Sequence, residues 1–331
     1  MTQSAPLVTI FGGSGFVGRY VAQRMARRGW RVRAAVRRPN EAMFLRPYGE
    51  VGQVEPVQAN IRDDASVAKA CLGATAVVNC VGILTEVGKQ SFDSVQAQGA
   101  ARVARAAAEA GARSFVQISA IGADPGGPSD YARSKAAGEQ VVLDAFPEAA
   151  ILRPSVIFGM EDAFFNRFAA MARISPVLPI TGGETKFQPV YVGDVAEAAA
   201  KAAAGEVPGG IYELGGPEVA TLRALIERML KLVRRRRLIV DLPPGLAGIP
   251  ASLLGLAQSL TGGLYVNNTL TADQIAQLGV DNVVAEDAKG LRDLGIEPLA
   301  MEAVLESYLY AYRPQGQYSR LTESAKNMRG A

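Results

Sequence analysis

Gly12, Gly15 and Gly18 follow the apolar run 7–11 directly, and this spacing constrains the chain more than any other feature. Five successive apolar or β-prone residues read as a buried strand, and residues 16–28 read as a helix. A strand that passes so quickly into a helix makes three separate demands that glycine meets. It needs a sharp turn, room for backbone N–H groups beside a pyrophosphate, and close helix–strand packing. The helix N-terminus adds partial positive charge toward the anion. Gly12, Ser14, Gly15, Phe16, Val17 and Gly18 are therefore expected to surround a nucleotide, since a tight turn without a ligand does not require three glycines.

Alternation of strand-like and helix-like segments continues from there. Strands are expected at 30–36, 54–57, 76–81, 114–119 and 150–153, and helices near 64–71, 92–110 and 131–146. Such β-α-β order implies a parallel sheet with helices on both faces, an α/β fold of the doubly wound Rossmann type. The strand 150–153 would complete that sheet. Beyond residue 154 the chain is punctuated by Pro and Gly, as at Pro208-Gly209-Gly210, and reads as a smaller mixed C-terminal region. There Leu222, Leu225, Ile226, Met229, Leu230 and Val233 keep helical spacing behind Thr221 as a cap. The expected organisation is a nucleotide-binding core at 1–154, a C-terminal region at 155–312 with some segments returning to the core, and a basic extended tail at 313–331.

The end of the second strand holds Arg37 and Arg38, with no acid before Glu41. A carboxylate there would bind a ribose diol and repel a 2′-phosphate, whereas guanidinium groups bind the phosphate bidentately. This favours NADPH over NADH; the alternative is a pair of solvated surface arginines. Arg24, Arg27, Arg28 and Arg31 form a basic run, read as a solvated helix face with no nucleic acid as partner. The chain has no histidine, which excludes a Ser-His-Asp triad and His-ligated metals. Its two cysteines, Cys71 and Cys80, are too few for a four-cysteine metal site and suit a reducing compartment. The N-terminus carries no signal-peptide pattern.

Ser119 closes the fifth strand, and Tyr131-x-x-x-Lys135 follows at a spacing that puts both side chains on one helix face. An ammonium beside a phenol is expected to lower its pKa from about 10, making it a usable proton donor or acceptor. Together with Gly12-Gly13-Ser14-Gly15-Phe16-Val17-Gly18, these residues resemble the extended and atypical short-chain dehydrogenase/reductase family. Arg153-Pro154-Ser155-Val156-Ile157-Phe158-Gly159 resembles the segment that runs past the nicotinamide in that family. Val192-Gly193-Asp194-Val195-Ala196 resembles its helix-opening motif, with Asp194 read as an N-cap. The resemblance also implies nucleotide contacts along Asn60, Ile61, Val81, Gly82, Ile118, Tyr131, Lys135 and Pro154. Asn60 stands where many relatives have Asp. Tyr131, Lys135 and Ser119 would be the catalytic set if the site is active.

A narrower resemblance runs over nearly the whole chain. Ser119-Ala120-Ile121-Gly122-Ala123, Phe164-Phe165-Asn166-Arg167-Phe168, Phe187-Gln188-Pro189-Val190-Tyr191 and Asp281-Asn282-Val283-Val284 resemble the nucleotide-binding accessory subunits of respiratory complex I and their bacterial relatives. That resemblance implies a tightly held NADPH of mainly structural use and other complex I subunits as partners. It also implies a peripheral position on the cytoplasmic side of a bacterial inner membrane, or the matrix side if the source is eukaryotic. The 31 residues from Leu242 to Ala272 carry no charge, but Pro243, Pro244 and Pro250 break them. The helical candidate at 249–260 is too short to span a bilayer. With Arg234, Arg235, Arg236 and Arg237 just upstream, the stretch is expected to meet a membrane surface or an apolar partner. The alternative reading is a soluble NADP-dependent reductase, epimerase or dehydratase using Tyr131 and Lys135.

Overall fold

The computed structural model describes residues 5–243 and 271–318. Its central sheet has seven parallel strands: β1 (Leu7–Phe11), β2 (Arg31–Val36), β3 (Val54–Gln58), β4 (Ala76–Asn79), β5 (Ser114–Ile118), β6 (Ala150–Pro154) and β7 (Gly210–Leu214). They lie in the order β3-β2-β1-β4-β5-β6-β7. The expected sheet stopped at β6, and β7 corrects it. Gly209 makes the addition possible, because a Cβ there would stand 2.3 Å from the Glu148 carbonyl oxygen. The Pro-Gly-Gly sequence read as loop punctuation is thus the turn that lays β7 along β6.

One sheet face is covered by α1 (Phe16–Arg27) and α6 (Val192–Ala203), the other by α2 (Asp64–Cys71), α3 (Gln98–Glu109) and α4 (Asp130–Ala145). The alanine-rich faces of α3 and α6 let these helices lie close to the strands, burying Val103, Ala104 and Ala107 on one side and Val195, Ala199 and Ala203 on the other. The basic run at the end of α1 is a solvated face only in part, with Arg27 and Arg31 exposed. Arg24 pairs with Glu197 at 3.2 Å, and Arg28 bridges Glu197 and Glu206, tying α1 to α6 and the turn after it.

A third core lies in the C-terminal region between α5 (Phe165–Ile174), α7 (Leu222–Leu232) and α9 (Glu302–Leu309). Phe158 and Phe165 meet edge to face at 6.4 Å, and Leu225, Met229 and Leu305 are buried beside them. Thr221 caps α7 as expected, its hydroxyl accepting from the Ala224 N–H at 3.2 Å. Of the uncharged stretch, the candidate helix at 249–260 lies outside the described residues, as does most of the basic tail. Among the described residues no helix is long and apolar enough to cross a membrane.

Arg153 at the end of β6 fastens α4 to the sheet. Its Nε and Nη2 donate to the Glu139 carboxylate at 2.9 and 2.6 Å, and its Nη1 lies 3.5 Å from Glu213 on β7. Glu139 is buried, so removing one partner strands a charge in low dielectric. Arg153→Ala, which leaves the Glu139 carboxylate buried without its guanidinium, is expected to cost about 3 to 5 kcal/mol in denaturant unfolding, against about 0.5 kcal/mol or less for Arg38→Ala at the surface.

Candidate functional site

The strand order reverses at β1, whose neighbours are β2 and β4, and a crevice opens there at the carboxyl ends of the strands. Gly12 leaves β1 with φ 72°, its N–H donating to the Ala35 carbonyl at 3.0 Å. A methyl group on Gly12 would meet Val81 Cγ2 at 3.2 Å, so the turns after β1 and β4 face one another. On Gly18 a methyl group would stand 2.2 Å from the Gly12 carbonyl oxygen. Gly13, given no separate role by spacing, has the same constraint: its Cβ would lie 2.8 Å from that of Ala34. Gly15 is exposed and N-caps α1, with no side-chain cap and no acid in the first turn. The first N–H groups of α1 are thus left without a side-chain competitor for an anion, and the residues present fit a pyrophosphate.

Ser14 is half-buried and its carbonyl accepts from Arg19 Nη2 at 3.1 Å. Phe16 reaches Gly159, whose Cβ would lie 3.4 Å from the ring, so the turn is brought against the 153–159 segment. Val17 packs on the sheet core below. Arg37 donates to Gln90 Oε1 at 2.7 Å, whereas Arg38 is exposed and pairs with Glu41 at 3.0 Å. The Asn60 side chain accepts from the Arg62 N–H at 3.2 Å, and Ile61 packs against Gly99. Only Arg37 of the two arginines lines the 900 Å³ groove with Asn60, Arg62 and Ser66.

A second group of side chains gathers at the ends of β4 and β5. Lys135 is buried, and its Nζ donates to the Ile118 carbonyl at 3.3 Å. The same Nζ would be 3.2 Å from a Cβ on Gly82, with Gln96 Oε1 at 3.7 Å from that point. Ser119 is buried next to Ile118, and its Oγ has no hydrogen-bond partner among the described residues; neither has Gln96 Oε1. Pro154 joins from β6, its carbonyl accepting from the Ile121 N–H at 3.1 Å. Tyr131 stacks edge to face with Phe92 at 6.0 Å, and Lys135 Nζ lies 5.8 Å from the Tyr131 ring centroid. A buried amide oxygen and a buried hydroxyl, neither with a partner among the described residues, form with the cation a polar wall that suits the ribose and amide groups of a dinucleotide.

Burial reverses the expected electrostatics of this pair. The Tyr131 phenol is pushed up to about 12 by desolvation. Lys135 falls to about 8, burial outweighing the attraction of Glu139 and Cys80. The ammonium does not lower the phenol, because it sits over the ring face and is itself desolvated. Asp194 is likewise not an N-cap. Tyr191 occupies that position, and the Asp194 carboxylate accepts from the Leu299 N–H at 2.8 Å.

Spacing also missed two contributors. Gln96 is carried inward by a π-helical turn, Asp93–Ala97, whose wider winding gives no local hydrophobic signal. Asp273, on the short helix α8 (Ala272–Gln277), accepts from the Asp130 and Tyr131 N–H groups, while Ser129 Oγ donates to Gln277 Oε1 at 2.6 Å. The N-terminus of α4 is therefore closed by residues more than 140 positions away. Asn282 continues this strap, accepting from Ser155 Oγ at 2.7 Å and donating to the Ile121 carbonyl at 3.3 Å.

Residues 8–215 match the model of the NAD dependent epimerase/dehydratase family. NADH dehydrogenase [ubiquinone] 1 alpha subcomplex subunit 9 of Arabidopsis thaliana mitochondria is 35% identical over 329 residues, covering 98% of this chain and 82% of that protein. The NADH-ubiquinone oxidoreductase 40 kDa subunit of Neurospora crassa mitochondria is 30% identical over 322 residues, covering 97% and 83%. An NADPH-dependent quinone oxidoreductase of Escherichia coli, solved with NADPH, superposes with a TM-score of 0.69 at 21% identity, covering 91% and 98% of the two chains, a likeness of fold.

The lowered Lys135 pKa makes folding sensitive to base. Between about pH 8 and 10.5 the unfolded chain still holds the Lys135 proton that the folded chain has lost. Stability contributed by this residue therefore rises with pH across that interval. Cys71 and Cys80, both raised by burial from 9.0 to about 12, oppose it from about pH 9, and Tyr131 opposes it above its unfolded value of 10.0. The difference in unfolding free energy between the nucleotide-free parent and Lys135→Met, in which the shared thiols and phenols cancel, is expected to move in the parent's favour from pH 8 to 10.

Proposed function

The chain belongs to the NAD dependent epimerase/dehydratase family, and on that premise we propose that it is the nucleotide-holding accessory subunit of a proton-translocating NADH:ubiquinone oxidoreductase, respiratory complex I. The observation that carries this reading is the extent of the similarity to proteins named as subunits of that complex, which runs through the C-terminal region as well as the nucleotide core. Family likeness alone would be satisfied by residues 8–215. In this reading the partners are other complex I subunits near the membrane and quinone end of the hydrophilic arm. The chain is peripheral on the cytoplasmic side of a bacterial inner membrane, or on the matrix side in a mitochondrion.

The nucleotide is NADPH, held mainly for structure. Arg37 and Arg38 at the end of β2 supply the 2′-phosphate contacts, and the exposed Arg38–Glu41 pair is weak enough to yield to a phosphate. Gly12, Ser14, Gly15, Phe16, Val17 and Gly18 hold the pyrophosphate, Asn60 and Ile61 the adenine side, and Val81, Gly82, Ile118 and Pro154 the nicotinamide side. The chemistry a bound nicotinamide brings is hydride transfer. A Tyr131 phenol raised to about 12 is a reluctant proton donor, and α8 and Asn282 strap the segments beside it. Both support a role in holding the nucleotide rather than turning it over.

A second reading, an NADP-dependent reductase, epimerase or dehydratase, is favoured by one observation: Lys135 Nζ lies 5.8 Å from the Tyr131 ring centroid and donates to Ile118, next to a buried Ser119 whose hydroxyl has no partner among the described residues. Tyr131→Phe separates the two. Under the assembly reading, complex purified in mild detergent contains the chain with bound NADPH, and Tyr131→Phe leaves its NADH oxidation nearly unchanged. A chain found soluble and alone, losing turnover of a carbonyl or sugar-nucleotide substrate on Tyr131→Phe, would overturn it. For the cofactor, Arg37→Gln with Arg38→Gln is expected to weaken NADPH by about 10- to 100-fold and NADH little. Equal losses by titration would remove the 2′-phosphate assignment.

A further inference from the structure

The C-terminal region carries a second concentration of positive charge, away from the nucleotide crevice. After α7 the chain turns at Arg234, with φ 55°, and sends Arg235, Arg236 and Arg237 into the strand Leu238–Asp241. Arg223, Lys231, Arg235, Arg236 and Arg237 line a shallow hollow of about 430 Å³ together with Leu230 and Glu227, and among the described residues Arg223 alone of these cations is drawn to Glu184 and Asp241, each at 3.8 Å. Two of the arginines are fixed in place. Arg235 Nε donates to the Tyr312 carbonyl at 2.9 Å and Arg237 Nε to the Ala172 carbonyl at 2.7 Å. Burial and the like charges of Arg237 and Arg173 lower the Arg235 pKa, so the cluster is assembled against its own repulsion.

Beside this cluster two aliphatic side chains stand in solvent: Ile174 is 84% exposed and Leu238 is 64% exposed. They are brought together by the pairing of Leu238 with Val177 and by the Leu238 N–H, which donates to the Pro176 carbonyl at 3.0 Å. The chain leaves this face at Leu242 into 31 residues that contain no Asp, Glu, Lys or Arg. An acidic protein or a nucleic acid would answer the cations but leave Ile174 and Leu238 against polar surface. A bilayer with anionic headgroups answers both, phosphate to guanidinium and acyl boundary to aliphatic side chain.

We propose that the face formed by Ile174, Lys231, Arg236 and Leu238 around the arginine-lined hollow rests on an anionic phospholipid bilayer. This deepens the membrane-side placement proposed above and takes its biological setting from it, while the surface chemistry is read from the patch itself. The full chain is expected to float with phosphatidylcholine vesicles containing phosphatidylglycerol, not with phosphatidylcholine alone, and to release as salt rises. Each neutralised cation at the surface is worth about fivefold in binding, so Lys231→Gln with Arg236→Gln should weaken it by about 25-fold. Ile174→Ser with Leu238→Ser should weaken it further in a way that salt does not change.

Nucleotide affinity measured on the same variants reports the fold, and it should be unchanged. Equal binding to both vesicle types, binding to neither, or binding unmoved by the double neutralisation would overturn the proposal. So would complete release by inorganic phosphate at unchanged ionic strength, which would mark a free-phosphate site. Loss of complex association without any vesicle binding would assign the face to a protein. A chain that binds anionic vesicles but never co-purifies with the respiratory complex would overturn the assembly reading and leave the lipid face standing.

Discussion

Gly18 brings α1 so close to the end of β1 that a single added methyl group would stand 2.2 Å from the Gly12 carbonyl oxygen. That approach sets the tilt of α1, and the tilt has consequences at both of its ends. At the N-terminus it leaves uncapped N–H groups over the crevice between β1 and β4. At the C-terminus it puts Arg24 and Arg28 within reach of Glu197 on α6, which in turn covers the same sheet face as far as β6. A backbone contact that only glycine permits thus orients the helix whose charged end holds the C-terminal segments onto the core.

The opposite face is organised by charge as well as by close approach. Arg153 draws Glu139 inward, and α4 is pinned one turn beyond Lys135. Lys135 is consequently driven into the protein with its Nζ on the Ile118 carbonyl, losing water and part of its affinity for a proton. The strap from α8 to Asn282 then closes the other end of α4 and the Ile121 turn. Ion pair, buried ammonium and strap act on one helix, and together they hold Tyr131 in a desolvated setting.

The sequence made local features legible and non-local ones not. β1 and α2 have the bounds that their apolar patterns suggest, and Thr221 caps α7, because strand alternation, helical spacing and capping depend on residues a few positions apart. β7 was hidden because its turn is defined by contact with Glu148, some sixty residues earlier. Asp194 resembled a cap by its residue type, but Tyr191 opens the helix and the carboxylate serves Leu299 instead. In the site, the glycine turn and the Tyr131–Lys135 face were legible from spacing. The direction of their pKa values was not, since two side chains four residues apart say nothing about how much water reaches them.

The chain contains no histidine, and this gives the lowered Lys135 pKa a further meaning. In most proteins a group titrating at about 8 is lost among imidazoles that change charge just below it. Here that background is missing, and beside the α-amino group it is Lys135, within the nucleotide site, that releases a proton near pH 8. The protein is in this sense its own indicator dye: proton uptake or release on nucleotide binding, followed with an unbuffered pH-sensitive dye, reads the occupancy of one buried ammonium.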